Sequence, residues 1–216
     1  MLDPKGFDLW ADGYDKAVGI SDEDNSYPFA GYKEVLGNIF RIVMEKHGAK
    51  VLDVGFGTGT LTTKLYENGC TVYGQDFSAR MIELAREKMP DAVLVQKDFS
   101  DGLDDSLRRE KYDFIISTYA LHHLDSDGKL SLIREFMECL KPEGKLVIGD
   151  VAFRTKEEMD ACRREAGDEW DDEEFYMICG EMKEAFPAME YEQISHCAGL
   201  MMLQAGENQV SLQENR

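Results

Sequence analysis

Three aspartates stand at the ends of short apolar runs in this chain: Asp53 in V-L-D-V-G-F-G-T-G-T, Asp76 in V-Y-G-Q-D-F-S and Asp98 in V-Q-K-D-F-S. Gly55, Gly57 and Gly59 follow the first of them, so the backbone can turn tightly there and approach a ligand with no Cβ in the way. The spacing is G-x-G-x-G, with Thr60 where a dinucleotide loop carries its third glycine. A carboxylate beside a pyrophosphate is unfavourable, whereas Asp53 would favour an amino-acid ammonium or a sulfonium. Asp76, twenty-one residues beyond Gly55, can accept both hydroxyls of a ribose. Nicotinamide enzymes share that feature, so it points to a nucleoside without naming it. Asp98 suits the exocyclic amine of adenine, with the Phe99 N–H on a ring nitrogen, and Phe77 and Phe99 add apolar surface. Taken singly, Asp53 and Asp76 also read as helix N-caps. A fourth cluster, S-T-Y-A-L-H-H at 117–123, holds Thr118 and the candidate general base His122, whose competing reading is a packing histidine.

These residues need elements to position them. Short apolar runs at Val51–Val54, Thr71–Gln75, Ala92–Gln96, Phe114–Ser117 and Lys145–Val151 read as strands. Helical periodicity separates them at Leu61–Asn68, Ala79–Met89, Ser106–Lys111 and Lys129–Leu140. Such alternation predicts parallel βαβ units with right-handed crossovers, hence an α/β, doubly wound, Rossmann-like sheet with helices on both faces. Residues 1–48 form an aromatic cap and an amphipathic helix, and residues 50–150 form the ligand-binding core. Residues 154–187 read as an acidic helical insertion, with Glu173–Phe186 its main helix. Residues 151–192 hold fourteen acidic and five basic side chains. Met189–His196 and Ala198–Gln204 read as an antiparallel hairpin (189–204), and 206–216 as a flexible tail. One domain over 1–205 is the expectation.

The ordered series D-V-G-F-G-T-G, Q-D-F-S, K-D-F-S, Y-D-F-I-I-S-T-Y-A-L-H-H-L and L-K-P-E-G-K-L resembles the motifs of class I S-adenosylmethionine-dependent methyltransferases over roughly residues 50–150. F-D-L-W-A-D-G-Y-D near the start and W-D-D-E-E-F-Y resemble more narrowly a group of small bacterial enzymes, the YrrT-like methyltransferases. The resemblance implies a seven-stranded sheet with S-adenosylmethionine across its strand ends and S-adenosylhomocysteine as product. It implies cofactor contacts from Tyr14, and from Tyr32 as a second candidate. It also puts the 117–123 loop beside the methyl group. Methyl transfer from a sulfonium is an in-line displacement, so positioning the acceptor does most of the work, with His122 as base where the acceptor carries a proton. Pro142-Glu143-Gly144 departs mildly from the commoner Pro-Gly-Gly.

The acceptor is bounded by exclusion. The loop after the fourth strand is S-T-Y-A, not the N-P-P-Y of amino-methylating nucleic-acid enzymes, and no Pro-Cys dipeptide offers a nucleophile. The 216 residues carry a formal net charge of -19, which repels phosphate backbones and anionic membranes. A small, neutral or cationic molecule is the expected partner, with no nucleic acid and no membrane. There is no basic, then apolar leader, no run near the ~20 apolar residues of a membrane span, and five scattered cysteines. These point to a reduced, cytoplasmic protein. His123, His196 and Cys197 lack metal-ligand spacing, so no metal is expected. Two other functions remain compatible: a non-catalytic sensor of S-adenosylmethionine or its product, and an NAD-dependent oxidoreductase, which Thr60 and Asp98 disfavour.

Overall fold

The computed structural model describes residues 25–206. Helix α1 (Tyr32–Met44) leads into β1 (Lys50–Val54), α2 (Thr60–Glu67), β2 (Thr71–Asp76), α3 (Ala79–Lys88) and β3 (Val93–Gln96). The one-turn helix α4 (Asp105–Arg108), β4 (Tyr112–Thr118), α5 (Ser126–Cys139) and the long β5 (Leu140–Phe153) complete the alternating core. Seven strands run in the order β3-β2-β1-β4-β5-β8-β7, where β7 is Glu190–Gln193 and β8 is Ala198–Gln204. The first five are parallel, and β8 runs antiparallel to both β5 and β7. The doubly wound, mostly parallel sheet and its antiparallel closing hairpin agree with the sequence reading.

Successive strand residues alternate between two cores, as the period-two geometry of a pleated strand requires. On one face Val51, Phe114, Ile116 and Val147 pack with Val35, Ile39 and Val43 of α1, Leu61 and Leu65 of α2, and Ile82 of α3. On the other, Leu52, Val54, Ile115 and Ile148 pack with Leu132, Ile133 and Phe136 of α5. The chain leaves β1 towards β2 on one side and returns to β4 on the other. That reversal opens a crevice at the carboxyl ends of β1 and β4, where ligands of such sheets bind.

Three expectations need correction. The sheet gains an eighth strand, the two-residue β6 (Met177–Ile178), paired parallel with Ala152 and Phe153 of β5. The segment 173–186 is not one helix. Helix forms earlier, as α6 (Lys156–Ala166), and later, as α7 (Cys179–Ala185), with 173–178 outside any helix. The Phe175 N–H donates to the His122 carbonyl at 2.8 Å, and Met177 and Ile178 are buried on β5, so tertiary pairing overrides local periodicity. The strand expected to reach His196 stops at Gln193, because the Ile194 and Ser195 N–H groups both turn back onto the Ala198 carbonyl (2.9 and 3.1 Å). Among the described residues no helix is long and apolar enough to cross a membrane.

Candidate functional site

The carboxyl ends of β1, β2 and β4 wall a cleft. The loop after β1 holds Gly55, Gly57 and Gly59 at φ of 75°, 56° and 77°, the left-handed region that a Cβ disfavours. Gly55 is doubly constrained, since an added Cβ would stand 2.4 Å from the Ala120 Cβ. The Asp76 carboxylate ties this loop to the next: Gly57 N–H donates to one oxygen and Ser78 N–H to the other, both at 2.9 Å. Asp76 is therefore a loop clamp as well as a cleft residue.

Asp53 lies at the base of the cleft, 1% exposed. Thr62 donates to Oδ2 at 2.5 Å, and Oδ1 has no hydrogen-bond partner among the described residues. Burial pushes its carboxyl up to about 7, Thr62 opposes that shift and the neighbouring Asp76 adds to it. A buried acceptor without a donor is costly, and a cationic ligand would satisfy it. That orphan oxygen, with the Gly55 cradle, fits the ammonium-bearing, sulfonium-bearing S-adenosylmethionine and would not suit a pyrophosphate.

Of the residues picked out in the sequence, Asp53, Gly55, Gly57, Asp76, Phe77, Phe99 and Thr118 all line the cleft. Three others do not. Gly59 is the N-cap of α2. Asp98 is exposed and caps a short 3₁₀ turn, accepting from the Ser100 N–H at 2.8 Å. His122 sits behind the wall that its neighbour His123 helps to form. Tyr14 lies outside the described residues. Tyr119, Ala120 and His123 of the 117–123 loop expected beside the methyl also line the cleft, as does the second candidate Tyr32, whereas Thr58, Leu61 and Met81 carry no signal in the sequence. For Tyr119 and Ala120 a signal exists, because they directly follow β4 at the switch point. Tyr119 adopts φ 48° and its ring packs on Tyr32 at 5.1 Å between centroids, which no local pattern foretells.

His122 and His123 stack edge to face at 4.2 Å. His122 Nδ1 lies 2.6 Å from Asp150 Oδ1, and Nε2 lies 3.5 Å from Glu174 Oε1. Burial disfavours the His122 cation, but the Asp150 and Glu174 carboxylates together outweigh it and raise its pKa. His123 shifts the other way, down to about 4, through burial and the adjacent His122 charge. Lys129, 2% exposed, donates to the Leu124 carbonyl; burial holds its ammonium down at about 8 against the pull of Asp150.

Residues 51–144 match the family described as a methyltransferase domain. The chain is 41% identical over 160 residues to an uncharacterized methyltransferase of Geobacillus sp. strain WCH70, covering 74% of this chain and 72% of that protein. An uncharacterized methyltransferase of Oceanobacillus iheyensis is 36% identical over 187 residues, covering 83% and 84%. Among solved structures, the DhpI complex with S-adenosylhomocysteine superimposes with a TM-score of 0.68 at 17% identity, covering 94% of this chain and 95% of that one. Magnesium protoporphyrin IX methyltransferase from Synechocystis, also with bound S-adenosylhomocysteine, gives 0.65 at 16% identity, covering 82% and 84%. At such identities these two structures speak for the fold alone.

Proposed function

The chain belongs to the class I S-adenosylmethionine-dependent methyltransferases, and from that premise we propose that it methylates a small, uncharged or cationic acceptor held against Thr118, Tyr119 and His123. S-adenosylmethionine supplies, when bound, a methyl group on a sulfonium that a nucleophile displaces in line. The chain's own residues do the rest. Asp53 would take the ammonium end, with Thr62 holding its carboxylate in place. Asp76, which also accepts from the Gly57 and Ser78 N–H groups, would accept the ribose hydroxyls. Phe77 and Phe99 would flank the base. Asp98 would accept from the adenine amine only by turning from its capping contact. Tyr14 completes the proposed contacts from the amino-terminal segment.

The observation that carries this reading is the buried Asp53 oxygen with no hydrogen-bond partner among the described residues, set beside Gly55, where an added Cβ would meet Ala120. The acceptor class rests on the net charge of -19, which disfavours polyanions. His122, the expected base, has one ring nitrogen on Asp150 and the other towards Glu174, so its proposed part is to position the wall that His123 presents. A cytoplasmic location accords with five cysteines all free and buried, and one domain over 1–205 accords with the continuous sheet.

The test is incubation with methyl-labelled S-adenosylmethionine and a metabolite extract divided into small-molecule, protein and nucleic-acid fractions. Label should enter the small-molecule fraction. Label confined to RNA, DNA or protein would refute the acceptor class, and tight cofactor binding without any transfer would favour the sensor.

A further inference from the structure

Three side chains that cofactor binding does not need converge beside the cleft. One donor atom each from His122, His123 and Glu174 lies within 4.8 Å of the other two. The two segments that bring them are pinned together by the Phe175 N–H to His122 carbonyl bond of 2.8 Å. Asp150, fully buried, holds His122 by Nδ1 at 2.6 Å and by its backbone N–H at 3.2 Å. That fixes the ring with Nε2 towards Glu174, 3.5 Å away. Glu174 is fixed in turn, because the Tyr176 hydroxyl donates to its other oxygen at 2.7 Å. An imidazole backed by a carboxylate on its far nitrogen is the arrangement by which proteins aim a histidine at a metal.

We infer that His122, His123 and Glu174 form a binding site for a divalent first-row transition ion, with Asp150 and Tyr176 orienting the ligands. Metal bonds of about 2.0–2.2 Å separate neighbouring donors by roughly 3–3.5 Å. The His122–Glu174 pair already meets that spacing, and the remaining donor needs to close by about 1 Å, within reach of side-chain rotation. Two imidazoles and one carboxylate suit zinc, manganese, iron(II) or cobalt better than the all-oxygen ions calcium and magnesium. Three protein ligands leave positions open, and because His123 also lines the cleft, the open side faces the acceptor.

The open position fits a neutral alcohol or thiol that coordinates the ion, its O–H or S–H bond breaking and the proton leaving to water while the electron pair stays on the heteroatom. This rests on the methyltransferase reading, which then places that heteroatom beside the methyl group.

The test uses the full chain, stripped with a chelator, dialysed and titrated with cobalt(II). One saturable equivalent with ligand-field absorption is expected in the wild type, weakened at least tenfold in both Glu174→Gln and His123→Gln. X-ray absorption of the zinc-loaded wild type should count two imidazoles, a readout that needs no variant. Absence of a single saturable site, wild-type affinity in both variants, or fewer than two imidazoles overturns the inference. S-adenosylhomocysteine binding is measured on the same samples. If it binds and cobalt does not, only the metal site falls. If cobalt binds and S-adenosylhomocysteine does not, the methyltransferase reading falls and the ion site stands.

Discussion

His122 and Asp150 are joined twice, through Nδ1 to Oδ1 at 2.6 Å and through the His122 backbone N–H to Oδ2 at 3.2 Å. The pair links the loop after β4 to the carboxyl-terminal part of β5, inside a region where both side chains are nine-tenths or more buried.

Its pH dependence has a definite sign. His122 is raised, so its contribution to stability is fully present below the ordinary histidine value of about 6.5 and is lost as pH rises through the higher folded value. Burial would push Asp150 up, but His122 outweighs it and the carboxyl is lowered. Its contribution is thus present above about 3.9 and lost as pH falls through the folded value. Asp150→Asn leaves only Glu174, 3.5 Å from Nε2, to oppose burial, so the His122 NMR titration should shift down from its wild-type position, with a cost of up to about 3–5 kcal/mol near pH 6. An unchanged titration curve would show that Asp150 does not set the His122 charge.

Asp53 has the opposite character. Its carboxyl titrates near 7 because the folded protein disfavours the anion. Stability of the ligand-free protein should therefore fall as pH rises from about 4 through 7, and level off above. An ammonium ligand selects the ionised form, so S-adenosylhomocysteine affinity should rise between pH 6 and 8, with proton release seen by calorimetry in two buffers. Asp53→Asn should flatten both profiles. Affinity that is flat with pH in the wild type would remove Asp53 from the ammonium site.

Gly55 separates two costs in one position. Alanine there must hold φ 75°, at about 1–2 kcal/mol, and must also clear the Ala120 Cβ at 2.4 Å. Gly55→Ala should destabilise by more than that conformational cost and abolish S-adenosylhomocysteine binding. Adding Ala120→Gly should recover the steric part only. A double variant no better than the single one in thermal melts would mean that the clash is relieved elsewhere.

Asp76→Ala removes a proposed double ribose contact and frees the Gly57 and Ser78 N–H groups together. Cofactor affinity should fall at least tenfold, about 1.4 kcal/mol, in a protein that still folds. Wild-type affinity by calorimetry would reduce Asp76 to a clamp between two loops.

What the amino-acid order determines is local and periodic. The apolar runs around β1 to β5, the glycines that alone tolerate left-handed turns, and the carboxylates one residue from strand ends are decided within about ten residues. Hence the parallel sheet and the cleft residues Asp53, Gly55, Gly57, Asp76, Phe77, Phe99 and Thr118 are legible in the order of residues alone. The features that escape it are set by distant partners. Asp98 looks like Asp76 in sequence, yet it caps its own turn while its neighbour Phe99 lines the cleft. The adjacent histidines are indistinguishable as a dipeptide, and only Asp150, twenty-eight residues on, decides which ring turns inward and which meets the cleft. Glu174 joins them because the 173–178 segment gives up helix to pair beside β5. No periodicity encodes that exchange, since its gain comes from burying Met177 and Ile178 against strands formed earlier in the chain.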